Sequence, residues 1–126
     1  MTKRGYYLNN MTFEEIFPNI IPNREETVKR FSGNLDLLEK FVRKFPQDEN
    51  WLKFKEIVKN DDWSQMEMVA HTLKGYAGNI GFTKLFEPCA EVVKLIREGN
   101  QAKAKEVVPQ AIAAGEEIEK YISQLD

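Results

Sequence analysis

The sequence predicts an all-α protein: an antiparallel four-helix up-down-up-down bundle with short extra N-terminal helices. Three observations predict this fold class. Apolar residues recur at helical spacing along most of the 126-residue chain. No stretch keeps the strict apolar-polar alternation of a strand, and no Asn-Gly or Asp-Gly pair separates two strand-like runs. The turns between the predicted helices are only a few residues long, which favours antiparallel neighbours.

The N-terminal part of the chain predicts short helices that lie outside the bundle proper. Residues 1–22 form a predicted extension, and residues 23–126 form the bundle domain. In the extension, Thr12 and Glu15 have the spacing of a capping box, so a helix begins there. Pro18 keeps this first helix short.

Two more short helices are predicted before the four long ones. Asn23 and Glu26 are a capping pair for the first of these, and the Ser-Gly-Asn sequence at residues 32–34 ends it. An apolar stripe over residues 38–45 predicts the second, which stops before Pro46. We expect these short helices to cover the bundle.

Four longer amphipathic segments are predicted to form the bundle, over residues 47–60, 62–79, 83–98 and 101–125. Asp62 and Gln65 are a predicted capping pair for the second segment, and Gly81 is its predicted left-handed C-cap. The fourth segment is predicted as one kinked helix, because its apolar spacing continues through Pro109 and Gly115.

The composition excludes several classes of function. With 18 basic and 20 acidic residues, the formal net charge of -2 gives no general attraction to nucleic acid or to anionic membranes. No stretch is as apolar as a membrane span, and we expect no signal peptide. Cys89 is the single cysteine, so we expect no zinc site and a reducing, cytoplasmic location. Tyr6 and Tyr7 either pack on the bundle or extend as a docking arm, and both interpretations stay open.

The segment at residues 70–81 is the most informative part of the chain. It contains the single histidine, His71, and on a helix Lys74, Gly75 and Gly78 share its face. The apolar residues of this helix fall on another face, so the imidazole points away from the core. Each glycine inside a helix costs about 1 kcal/mol relative to alanine. Two of them beside the histidine indicate that a partner approaches this face closely.

His71, Lys74, Gly75 and Gly81 form an H-x-x-K-G pattern with a second glycine six positions on. This pattern resembles the signature of histidine-containing phosphotransfer (HPt) domains, and the helices around it match from about residue 23 onwards. The resemblance implies a bundle that accepts a phosphoryl group on His71 from a receiver-domain aspartyl phosphate and passes it to another receiver. The expected partners are response-regulator receiver domains and a hybrid sensor histidine kinase, with no nucleic acid, no membrane and a monomeric protein.

The expected chemistry is attack by a neutral imidazole nitrogen on phosphorus. Positioning and charge neutralisation dominate phosphoryl transfer, so we expect no cofactor or metal in this chain and Mg²⁺ in the partner receiver. Lys74, one helical turn beyond His71, is placed to contact the phosphate oxygens, and Gly75 leaves room for the phosphoryl group. The resemblance implies the outward-pointing Nε2 as the modified atom.

Four residues are candidates for contact with the partner. Tyr76 and Phe82 are candidates for the apolar centre of the interface, and Gly75 and Gly78 for the points of close approach. Each has a structural alternative. Aromatic residues at helical spacing usually lie in the core, and glycines also permit close packing of two helices. The packing explanation would be favoured if both glycines lay under another helix.

One position departs from the pattern of the family. Some members carry a polar side chain, often glutamine, on the following helix, where it steadies the histidine or its phosphate. In this chain ungapped counting places Val93 there. Asn79 or Ser64 would take over that contact only if the geometry allowed it.

The sequence favours a phosphocarrier over an enzyme. A histidine autokinase needs a nucleotide site, and the chain has no glycine-rich phosphate loop. The alternative function is a non-catalytic helical adaptor or scaffold that docks a receiver domain without phosphotransfer. A His71→Gln substitution separates the two, because only the phosphocarrier depends on the imidazole.

Overall fold

The computed structural model describes residues 11–126, which are largely helical. Tyr6 and Tyr7 lie outside the described residues. Within residues 11–126 there is no β-strand, and the one isolated β-bridge joins Met11 to Leu125. Single-turn 3-10 helices lead into the fourth and fifth α-helices, at Phe45–Gln47 and Trp63–Gln65. The α-helices are α1 (Phe13–Ile20), α2 (Arg24–Arg30), α3 (Leu35–Lys44), α4 (Glu49–Asn60), α5 (Met66–Ile80), α6 (Thr83–Arg97) and α7 (Gln101–Ile122).

α1 belongs to the hydrophobic core. The capping box predicted at its start is confirmed: the Glu15 amide donates to Thr12 Oγ1 at 3.2 Å, and the Thr12 amide donates to Glu15 Oε1 at 2.9 Å. Pro18 lies inside this helix, which ends two residues later. The helix packs against α7. Its core-facing side chains are Phe13, Ile16, Phe17 and Ile20.

α2 and α3 both contact α5, as expected for helices that cover the bundle. The Asn23 side chain accepts from the Glu26 amide at 3.1 Å, which confirms the predicted cap of α2. Thr27 of α2 is 1% exposed. α3 contributes the buried Leu38 and Val42 to the core. The segment that precedes the long helices is therefore packed onto them.

The long helices pack side by side, with α6 between α5 and α7 and with α4 against α5. α5 and α6 run in opposite directions, because Glu67 near the start of α5 binds Arg97 at the end of α6, and Gly78 near the end of α5 lies against Phe86 near the start of α6. No helix within residues 11–126 combines the length and the apolar character that crossing a membrane requires.

α4 and α7 also run in opposite directions. Trp51 in α4 lies against Gly115 in α7, and Asp61 at the end of α4 pairs with Lys105 at 3.0 Å. Trp51 is fully buried, and a Cβ on Gly115 would overlap its indole ring. The predicted single helix through Pro109 is confirmed, since α7 continues unbroken to Ile122.

Some helix boundaries differ from the prediction. Asp62 accepts from the Ser64 amide at 3.4 Å and so caps the short 3-10 helix, whereas Gln65 makes no side-chain capping bond to α5. The predicted Asp62–Gln65 capping pair of α5 is therefore wrong. α4 begins two residues later than predicted, because the segment around Pro46 forms the preceding 3-10 helix.

Candidate functional site

α5 separates a buried face from an exposed one. His71 lies mid-helix and is exposed, on the side away from the core, so the prediction of an exposed imidazole is confirmed. The helical period accounts for this, since residues that point inward recur every three or four positions and position 71 falls between them. The inward residues are Met66, Val69, Ala70, Leu73, Ala77 and Ile80.

The C-terminal end of α5 is fixed by a glycine cap and by an arginine from α2. Gly81 adopts φ = 91°, and its amide donates to the Ala77 carbonyl at 2.9 Å, which confirms the predicted left-handed cap. A Cβ at this position would also overlap Thr27. Arg30 Nε donates to the Asn79 carbonyl at 3.0 Å. The helix dipole also stabilises a positive charge at this C-terminal end.

Lys74 and Gly75 lie beside His71 on the exposed side of α5. Lys74 is partly exposed, one helical turn beyond the histidine. Gly75 is exposed, and a Cβ built on it would meet no atom within 4 Å. Close packing of helices therefore does not explain Gly75. The glycine instead leaves an open space next to the imidazole.

Gly78 has a different environment from Gly75. A Cβ on Gly78 would lie 3.0 Å from Cδ1 and 3.1 Å from Cε1 of Phe86, which belongs to α6. Packing of α5 against α6 therefore explains this glycine. The prediction that Gly78 is a glycine because a partner approaches it closely needs correction, because packing against the Phe86 ring is enough to require a glycine there.

The two predicted aromatic contact residues serve the core instead. Phe82 is fully buried, with its ring edge-on to Phe45, so its prediction as a partner contact is wrong. Tyr76 is half-buried, stacks on Phe45, and donates from its hydroxyl to the Phe41 carbonyl at 2.9 Å. Burial, with a smaller effect of Asp48, raises the pKa of the Tyr76 phenol above its usual range. Tyr76 therefore joins α5 to α3, and it is not a free anchor for a partner.

Residues 34–126, well over half of the chain, match the family model of the Hpt domain. The chain belongs to the Hpt domain family. No curated protein and no solved structure matches it. Hpt domains take part in histidine-based phosphotransfer in two-component signalling, as phosphocarriers and not as classical enzymes. Their partners in the phosphorelay are the receiver domains of response regulators.

An ion pair near His71 of this Hpt domain was not predicted from the sequence. Arg97 Nε in α6 donates to Glu67 Oε2 in α5 at 2.8 Å, and both side chains are about half exposed. Glu67 precedes His71 by four residues and therefore lies on the same helical face. Arg97 offsets the negative charge that Glu67 would otherwise place on the face of His71. No spacing along the chain marks this pair, because Glu67 and Arg97 are 30 residues apart and belong to different helices.

The position expected to carry a polar contact to the histidine is apolar. Val93 is 3% exposed, and the pairing of α5 with α6 places it across from His71. The alternatives do not replace it. The Ser64 hydroxyl donates to Asp62 Oδ1 at 3.0 Å, and Asn79 lies about 12 Å along the helix from His71. The structure brings neither side chain to the imidazole.

Two exposed apolar side chains lie on the same pair of helices as His71. Met68, three residues before the histidine, is 61% exposed, and Phe86 of α6 is 36% exposed. Large apolar side chains at the surface are typical of the centre of a protein interface. Helical spacing places Met68 on the same face as His71. The sequence alone did not distinguish Phe86 from core residues, because its exposure depends on which helices cover α6.

Proposed function

We propose that this Hpt domain is a phosphorelay intermediate that accepts a phosphoryl group on His71 from a receiver-domain aspartyl phosphate and passes it to another receiver. One observation carries the proposal. His71, the single histidine of the chain, is exposed beside the open space at Gly75. A hybrid sensor histidine kinase is the proposed source of the first receiver. The proposed setting is the cytoplasm, with the protein acting as a monomer.

The proposed step exchanges one bond to phosphorus for another. The lone pair of a neutral imidazole nitrogen attacks phosphorus while the bond from phosphorus to the receiver aspartate breaks, and the aspartate leaves as a carboxylate. The other ring nitrogen keeps its proton. Transfer onward is the reverse step, with the carboxylate of the next receiver as the nucleophile. The proposal assigns the bond to Nε2, by analogy with the family.

The residues around His71 have separate proposed roles. Lys74 contacts the phosphate oxygens with its ammonium group, and it is partly exposed one turn from the imidazole. Gly75 admits the phosphoryl group and the receiver loops, because no side chain fills that space. The Mg²⁺ ion that neutralises charge in the transition state is proposed to come with the receiver.

The proposed arrangement of α4 to α7 is the up-down-up-down bundle. Two pairs of antiparallel helices, α5 with α6 and α4 with α7, support it. In such a bundle the histidine stands on a helix that neighbours hold from both sides, so its position is fixed before a partner arrives.

The proposal is tested by mixing the protein with a panel of phosphorylated receiver domains. The expected result is acid-labile label on His71 with at least one receiver, and none on a His71→Gln variant. That variant is expected to remain folded, because a substitution on an exposed helix face changes the free energy of unfolding by less than about 0.5 kcal/mol. Its far-ultraviolet circular dichroism and urea midpoint are the controls.

Two outcomes would contradict the proposal. Label on His71 after incubation with Mg²⁺-ATP alone would indicate an autokinase. A His71→Gln variant that binds receivers and supports signalling as well as the unaltered protein would indicate an adaptor without phosphotransfer. Profiling the receivers by transfer rate would also identify the partner.

A further inference from the structure

A pocket lies between α2 and the exposed side of the α5–α6 pair. Its volume is about 240 Å³, and its lining includes Thr27 and Arg30 from α2, Gly78 from α5, and Thr83 and Phe86 from α6. Small-molecule sites are usually larger, about 300 to 1,000 Å³. The size of this pocket therefore suits a side chain of a docked protein better than a whole cofactor.

The pocket has fixed walls and no net charge at its α2 edge. The Arg30 guanidinium donates to the Asn79 carbonyl at 3.0 Å, to Glu26 Oε1 at 2.9 Å and to Thr27 Oγ1 at 3.4 Å. These three bonds hold the arginine in place, and Glu26 neutralises its charge. The Phe86 ring forms the opposite, apolar wall. A preformed and locally neutral pocket of this kind favours an uncharged, apolar occupant.

The pocket is close enough to His71 to be covered by the same partner. Gly78 lies seven residues beyond His71 on nearly the same face, which is about 10 Å along the helix. A typical protein interface covers about 800 Å² on each partner, equivalent to a disc about 16 Å in radius. A receiver whose aspartate is positioned over His71 is therefore large enough to reach the mouth of the pocket.

We propose that this pocket receives an apolar side chain from the surface of the receiver domain docked on His71, and that α2 thereby helps to select the receiver. The inference rests on the proposed phosphotransfer function. The match to the Hpt domain begins at residue 34, so α2 lies outside it. The α2 wall of the pocket therefore lies outside the matched residues and does not include His71.

The test fills the pocket with a tryptophan at Thr83, an exposed position at the start of α6. Gln110→Trp is the matched control, because Gln110 is exposed and lines a separate groove between α6 and α7. Phosphoramidate, a small phosphodonor, measures the reactivity of His71 without docking, and phosphorylated receivers measure transfer with docking. Phe86→Ala is a second variant, which removes the apolar wall of the pocket. Circular dichroism and urea midpoints establish that each variant is folded.

Thr83→Trp is expected to lower kcat/KM for transfer from a receiver by about tenfold or more, as for the loss of an interface anchor. Phe86→Ala is expected to lower it as well. Labelling by phosphoramidate is expected to stay at the level of the unaltered protein, and Gln110→Trp to behave normally in both assays. If Thr83→Trp fails to fold, Phe86→Ala decides the question by the same comparison.

Three results would overturn this inference and leave the proposed function in place. Normal receiver transfer by Thr83→Trp would show that the pocket is not covered, while the unaltered protein would still support the proposed function. Equal losses with phosphoramidate and with receivers would place the defect at His71. If the transfer defect of Thr83→Trp disappears when residues 1–10 are deleted, the N-terminal segment of the chain itself is the occupant of the pocket. Failure of every receiver to phosphorylate the unaltered protein would instead overturn the proposed function, and this inference with it.

Discussion

Replacing Gly75 with alanine is expected to stabilise the domain. A Cβ at Gly75 meets no atom within 4 Å, so the substitution has no steric cost. Alanine is better than glycine inside a helix by about 1 kcal/mol, which for a domain of this size raises Tm by about 3–6 °C. Gly78→Ala is the matched control in the same helix. Its Cβ would lie 3.0 Å from Phe86 Cδ1, so a smaller gain or none is expected. Urea unfolding followed by circular dichroism measures both variants.

The same position is expected to separate stability from function. Gly75→Leu keeps most of the gain in helix propensity but fills the open space beside His71. Its free energy of unfolding is expected to remain above that of the unaltered protein, while phosphoryl transfer from a receiver falls at least about tenfold, the effect of about 1.4 kcal/mol. Loss of stability in Gly75→Ala would refute the claim that the space beside Gly75 is open in the folded domain. Unchanged transfer by Gly75→Leu would refute close approach of a partner at this face.

Three more predictions follow from the contacts of individual residues. Lys74→Ala is expected to shorten the lifetime of phosphohistidine about two- to fivefold, since an exposed charge pair contributes up to about 1 kcal/mol. Its urea midpoint is expected to stay unchanged. Gly115→Ala is expected to destabilise the domain by about 1–3 kcal/mol in urea unfolding, because its Cβ overlaps the buried Trp51 indole. Burial raises the pKa of the Cys89 thiol from 9.0 to about 12. Folding thus disfavours the thiolate, and the stability present below pH 9 is lost as the pH rises towards 12. The urea midpoint is expected to fall more between pH 8 and 10.5 in the unaltered protein than in Cys89→Ala.

The features predicted correctly from the sequence are those that a few neighbouring residues determine. The Thr12–Glu15 capping box and the Gly81 C-cap depend on spacings within one helical turn, and both are present. The cap of α5 was predicted wrongly at Asp62, because a polar residue before a helix can equally cap a 3-10 turn. Only the packing of the segment decides between them. The burial of Gly115 against Trp51 joins positions 64 residues apart, and no local pattern reveals it.

The same distinction applies to the candidate site. The exposure of His71 and Gly75 follows from the period of a single helix, so the sequence predicts it well. The environments of Gly78, Tyr76 and Phe82 depend on α6, α3 and the core, which reach these residues from other parts of the chain. Helical periodicity tells which residues share a face, but it does not tell how far a neighbouring helix extends over that face.

The contacts that fix α5 explain how an exposed histidine can be positioned accurately. Its buried face packs in the core, Glu67 joins it to α6 near one end, and Arg30 of α2 binds the Asn79 carbonyl at the other. The backbone that carries His71 is therefore ordered by folding, and a docking partner has little left to order. A carrier must release each partner after transfer, so strong binding would slow the relay. In the proposed relay, an ordered α5 backbone lets weak docking suffice, because the partner does not have to order the helix that carries His71.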